Sequence, residues 1–258
     1  MAAVVLNELL PANIMVYSLV FTRVGAMVMT LPAIGEATIP PRARLMLALG
    51  LTLVMVPVVG DAFPQVSATS PTLLTGLIAT ETITGLAIGL MLRMVMSSVQ
   101  VAGTIIATQT GLAFAQTFDP TQGTQSALVS MFLSMLAITL IFATELHHLL
   151  IAGIEHSYVM FPPGKLPPTA DVLNLAIQTV SGLFLTGLEM SAPFLVFGLV
   201  LYAAAGVLSR MMPQLQIFFI TMPLNILAGF VILGLSLSTM MLWFLDAFST
   251  QAQLFVPH

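Results

Sequence analysis

The chain has 258 residues, 58% of them hydrophobic and only 6% charged, with a mean hydropathy of +1.06. A soluble domain carries roughly 25% charged residues, so the composition excludes a water-soluble globule and indicates an all-α, polytopic integral membrane protein. Six Lys+Arg against ten Asp+Glu leave no basic footprint for nucleic acid, and the absence of cysteine excludes disulfides and thiolate metal sites.

A membrane-spanning helix needs roughly 20 apolar residues. The first candidate covers residues 12–31, with Arg23 inside it; the stretch before it lacks the positive start of a cleaved signal peptide. A loop with Glu36, Pro40, Pro41, Arg42 and Arg44 follows, then a short second segment, 45–60, containing Pro57. The two arginines favour a cytoplasmic first loop. After a Pro- and Ser-containing loop at 61–71, a third hydrophobic region runs from 72 to about 115, interrupted by Glu81 and Arg93.

Residues 103–126 look wrong for lipid. Gln109, Thr110, Gly111, Gln116, Thr117, Gln122, Gly123, Thr124 and Gln125 follow one another, with Asp119 and Pro120 among them. Backbone that leaves the helix at membrane depth survives only where protein buries it or where it lines a watery cavity. This insert is therefore a candidate for a pore, a gate or a plug. The preceding helix carries a small, weakly polar stripe of Ser97, Gln100, Gly103, Thr104, Ala107, Thr108 and Gly111. Such a stripe permits close helix packing, with a pore wall as the sharper alternative. Just past it, Leu112, Phe114 and Phe118 would place bulky groups able to occlude a channel.

A fourth segment is expected over 127–154, and the Pro-rich stretch 161–171 is the clearest boundary in the chain. Beyond it lie 172–208, interrupted by Glu189 and Pro193, and the uncharged run 211–245. As one helix that last run would be about 52 Å long against a hydrocarbon core of about 30 Å. It is expected to bend or turn back near Pro213 or Pro223, because proline removes a backbone donor. About six hydrophobic segments result, with kinked helices and helical hairpins.

Charges inside such segments are costly and face a partner or a cavity. Arg23, Glu81, Arg93 and Glu189 form this set; pairing between helices or subunits is the ordinary reading and an ion relay the sharper one. His147, His148 and His156 share the end of a segment with Glu145 and Glu155, but a pair eight residues apart needs a third element to chelate an ion. No metal site, cofactor or catalytic residue is expected, since no nucleophile with a base is recognisable. Eighteen methionines could form deformable seals, although ordinary apolar filling explains any one of them.

In order along the chain, several pieces resemble the FliR/SctT family of export-gate subunits in flagellar and injectisome type III secretion. They are Arg23, Pro32 and Ile39-Pro40-Pro41-Arg42-Ala43-Arg44; Glu81, Gly85, Gly89, Gly103, Gln109 and Gly111-Leu112-Ala113-Phe114-Ala115 to Asp119-Pro120; and Ala192-Pro193, Arg210-Met211-Met212-Pro213-Gln214, Phe218 and Pro223-Leu224. The resemblance implies a non-enzymatic core subunit of a protein-export channel in the bacterial inner membrane, within the flagellar basal body. It implies FliP-type and FliQ-type partners, an FlhB-type protein at the entrance, and unfolded flagellar proteins as cargo. It also implies a FliP-like part over 1–160, a connector at 161–171 and a FliQ-like part over 172–258. The family's plug loop falls on 111–125, so that Gln109, Gly111, Leu112, Phe114, Phe118, Asp119, Pro120 and Gln125 are its candidate gate residues. Arg210, Pro213, Gln214 and Pro223 are candidate interface residues. A small secondary transporter with a broken-helix polar site and an injectisome subunit are the alternatives.

Overall fold

In the computed structural model, described for residues 2–36, 38–63, 71–112, 125–165, 169–214 and 216–256, the apolar runs form seven α-helices. These are α1 (Ala2–Thr30), α2 (Pro41–Val59), α3 (Pro71–Gln109), α4 (Gln125–Ala143), α5 (His147–Met160), α6 (Thr169–Met211) and α7 (Ile217–Gln253), with a 3₁₀ turn at Gly60–Ala62. There is no strand among the described residues. The chain is an all-α polytopic membrane protein: α2, α3, α6 and α7 are each long and apolar enough to cross a membrane, and α4 with α5 passes the same test as one broken span.

One boundary differs from expectation, and another falls where proline placed it. The segment expected over 127–154 is two helices, because Glu145 adopts a left-handed conformation (φ 60°) that an α-helix cannot propagate. The last run divides after Met211, where Pro213 and Gln214 form a turn before α7 begins at Ile217. Pro223 then sits inside α7, leaving one earlier carbonyl without its helical donor. Pro41 opens α2 at a position where a missing N–H costs nothing.

The helices form two compact units. The first comprises residues up to Met94, Thr144–Thr179 and the stretch from Ser249 onward. Its buried side chains include Leu19, Val24, Met27, Ile88, Leu92, Ile154 and Phe255. Here α3 approaches α1 through two glycines one helical turn apart. A methyl group on Gly85 would lie 2.6 Å from the Arg23 carbonyl oxygen, and one on Gly89 would overlap the Thr30 side chain. Small residues four apart let helix backbones approach closely where lipid supplies no hydrophobic drive between helices.

The second unit comprises Val95–Ala143 and Val180–Phe248, and the rest of α3 belongs to it. Gly103 of α3 abuts the Ser130 backbone of α4, Gly187 of α6 lies against Val101 and the Ser98 carbonyl, and Gly229 of α7 lies against Thr110. Ser130 also donates to the Gln100 carbonyl at 3.3 Å. Part of the small-residue stripe is thus a packing seam. Gln100, Thr104 and Thr108, by contrast, form an exposed line along α3, with both threonine hydroxyls bonded back to their own helix.

A Cβ at position 103 would stand 2.5 Å from the Ser130 Cα, a backbone atom that no rotamer change can move aside. Gly103→Val should therefore cost about 1–3 kcal/mol and lower both the melting temperature in detergent and the amount of inserted protein. Gly234→Ala, on α7 where nothing lies within 4 Å, should leave the melting temperature within the range expected for one surface helical substitution; equal losses in the two variants would contradict the seam.

Candidate functional site

Two of the intramembrane charges meet. Arg23 and Glu81 are both fully buried, and Arg23 Nε donates to Glu81 Oε2 at 2.6 Å. Arg23 Nη1 donates to the Ser157 and Phe161 carbonyls, each at 3.0 Å, and the guanidinium lies 4.2 Å from the Tyr158 ring centroid. Glu81 Oε1 accepts from the Gly164 backbone at 3.3 Å. Gly164, at φ 79°, supplies a conformation glycine adopts without strain. One ion pair therefore ties α1, α3, the end of α5 and the Pro-rich turn together within the first unit. Burying two charges repays its cost only when their remaining hydrogen-bonding positions are also filled, and backbone carbonyls and an amide do that here.

The other two charges behave differently. Arg93 lies 3.9 Å from Glu36, both partly exposed at 43% and 26%, so this pair adds little stability on its own. Glu189 is exposed among the outward-facing apolar residues Phe184, Leu185, Leu188 and Val196 of α6.

The end of α3 is the second node, and lies in the other unit. Gln109 is the last residue of α3, and Gly111 follows at φ 77°, a left-handed residue of the kind that ends helices. The last four carbonyls of a helix have no partner of their own. Here Ile106 O accepts from Thr110 N at 2.9 Å and Thr108 O from Gly111 N at 3.2 Å. Ala107 O accepts from the Thr110 hydroxyl at 3.3 Å, and Gln109 O from Asn225 Nδ2 at 2.7 Å. The Gln109 side chain fits against Gly198 of α6, where a Cβ would overlap its amide oxygen. A cavity of about 70 Å³ adjoins, lined in part by Gly111, Tyr202, Thr221, Met222 and Asn225.

Of the expected gate residues, Gln109, Gly111 and Leu112 thus stand at this node. Phe114, Phe118, Asp119 and Pro120 lie outside the described residues, and Gln125 is described only as the first backbone position of α4. Arg210 is exposed in the last turn of α6, Pro213 and Gln214 are exposed in the turn after it, and Pro223 is exposed on α7. Sequence reasoning missed Asn225. A lone amide inside an apolar run was its only signal, and Pro223 two residues earlier drew the attention instead. His148 and Glu145 stand 4.0 Å apart on the surface, and no group of three His, Asp or Glu among the described residues is placed to hold a metal.

The family described as "Bacterial export proteins, family 1" matches residues 14–251, nearly the entire length. The chain belongs to this family. It is 45% identical over 232 residues to the flagellar biosynthetic protein FliR of Caulobacter vibrioides, covering 90% of this chain and 92% of that one. It is 29% identical over 245 residues to the protein of the same name from Bacillus subtilis, covering 94% and 92%. It is 30% identical over 208 residues to that from Escherichia coli, covering 80% and 78%. Both nodes lie within the matched residues.

Removing one member of a buried ion pair leaves an uncompensated charge and costs about 3–5 kcal/mol. Arg23→Met or Glu81→Leu alone should sharply reduce the melting temperature in detergent. The double variant should lose less than the sum of the two, though more than nothing, because the Ser157 and Phe161 carbonyls stay unpaired. Additive losses would show that the two charges do not depend on each other.

Proposed function

We propose that this chain is a non-enzymatic subunit of the flagellar protein-export gate, working with FliP-type and FliQ-type subunits and an FlhB-type protein in the bacterial inner membrane. The observation that carries the reading is the family match over nearly the whole chain, joined by relatives named for flagellar biosynthesis at up to 45% identity. Those relatives favour the flagellum over the injectisome.

Physical features of the chain support a subunit rather than a self-contained transporter. The helices α3, α6 and α7 would be about 58, 64 and 55 Å long at 1.5 Å per residue, far beyond a hydrocarbon core of about 30 Å. Tilt alone does not absorb that excess; surrounding protein does. Glu189, exposed mid-way along α6, has no ion-pair partner among the described residues and calls for a polar one. We assign residues 1–160 as the FliP-like part, 161–171 as the connector and 172–258 as the FliQ-like part. Residues 111–125 are assigned as the plug that closes the conduit at rest and yields to an unfolded export substrate. Arg210, Pro213, Gln214 and Pro223, exposed at and after the α6–α7 turn, are assigned to the subunit interface.

Purification in a gentle detergent through a C-terminal tag tests the assembly. A large hetero-complex with other small hydrophobic proteins, this chain substoichiometric, is the expected result; a monomer or homodimer in the presence of co-expressed neighbours would point to a transporter. Shortening 113–124 should make the assembled complex leak small ions, and leak at the wild-type level in an intact complex would remove the plug assignment.

A further inference from the structure

We propose that Asn225 is a releasable latch that fastens the C-terminal end of α3 to α7, and that this fastening must come undone for the channel to open. The second half rests on the export-gate reading above; the first half stands on geometry alone.

Three of the four terminal carbonyls of α3 are satisfied by groups on Thr110 and Gly111 themselves. The fourth, Gln109 O, is held by a side chain from a different helix 116 residues further along. The latch is therefore the only side-chain hydrogen bond among the described residues that crosses from α7 to the end of α3. Glycines on two helices reinforce its register, Gly198 receiving the Gln109 side chain and Gly229 the Thr110 side chain.

The same group is built to let go. Asn225 is 4% exposed, and its Oδ1 is buried with no hydrogen-bond partner among the described residues. A carboxamide offers two donors and an acceptor, and an unsatisfied buried acceptor costs about as much as a single made hydrogen bond contributes. The latched state therefore gains little net stability from Asn225. The cavity of about 70 Å³ has Asn225 on its wall, with Gly111 beside it, so the asparagine that would have to let go has room to move. Gly111 in its left-handed conformation is free to change backbone dihedrals without a Cβ penalty. A well-packed, doubly bonded asparagine would hold the helix end but could not release it at small cost.

The chain has no cysteine, so Leu112→Cys introduces a single thiol whose maleimide labelling in native membranes reports how firmly the helix end is held. Asn225→Leu removes the donor and the unpaired acceptor at similar volume and leaves Gln109 O without a partner as long as the helix end stays docked, and the assembly should accumulate normally. In that background, labelling should rise about fivefold, the factor corresponding to one net hydrogen bond of about 1 kcal/mol. Asn225→Asp, lacking the donor, should do the same should Asn225→Leu fail to accumulate. Asn225→Gln, which keeps the donor and can extend into the cavity, should return labelling to within twofold of wild type. Gly198→Ala, which displaces the Gln109 side chain, should speed labelling by an independent route.

Unchanged labelling in both Asn225→Leu and Asn225→Asp would overturn the latch, whatever the channel does. Faster labelling together with raised ion leak supports both halves. Faster labelling without leak, while the complex shortened over 113–124 does leak, would overturn the role in opening and leave only an anchor. Absence of leak in the shortened complex as well would strike the plug assignment, with the latch itself still upheld by labelling.

Discussion

The constraint on which the rest of this structure depends is the close approach of other helices to α3. Lipid gives packed helices no hydrophobic gain over separated ones, so contact must come from tight van der Waals packing and hydrogen bonds. Gly85 and Gly89 bring α1 against the first half of α3, and Gly103 brings α4 against the second. Gly187, Gly198 and Gly229 are the reciprocal device, placed on α6 and α7 so that side chains of α3, and of Thr110 just past its end, can enter them. A single helix thereby organises both compact units, although each unit closes its packing with its own glycines.

Polar groups are dealt with by the same economy of partners. At membrane depth an unsatisfied backbone group costs several kcal/mol, and a lone buried charge costs more. The Arg23–Glu81 pair consumes two carbonyls and an amide of the α5 end and the turn after it, so that irregular backbone is held by charge instead of by helix. At the end of α3 the solution is neutral: a threonine hydroxyl, two backbone amides and one asparagine cover four carbonyls. The first arrangement is strong and mutually dependent. The second is light and sits beside open space, which suits a place where the chain departs from its helix in a protein proposed to open and close.

What the chain leaves outward also carries information. Large apolar side chains are exposed along α2, α6 and α7, as a lipid or protein surround requires, but Glu189 on α6 and the line of Gln100, Thr104 and Thr108 on α3 are polar. The threonines satisfy their hydroxyls on their own helix and could face either medium. A carboxyl group at the middle of a membrane-length helix has no such recourse. Together with helices too long for one bilayer, it supports the proposed place of this chain among other subunits, in keeping with a family of export proteins.

By itself, the sequence determined the class, the all-helical character and several of the helix ends, such as those bounding α2 and α6, because those follow from composition, apolar run length and proline, all of which are local. It also determined the family, since ordered motifs from Arg23 to Pro223 survive as a pattern without any knowledge of contacts. The break at Glu145 escaped it: a left-handed residue of ordinary type is stabilised by surroundings and not by its own preference. Which charges pair was decided only by tertiary structure, for Arg23 and Glu81 are 58 positions apart and nothing in periodicity links them. The importance of Asn225 was likewise invisible, because an amide earns its role from the carbonyl it happens to face. Glu189 needed the fold too. Charge is legible in a sequence, but whether a charge is satisfied depends on what three-dimensional packing brings within about 3 Å of it.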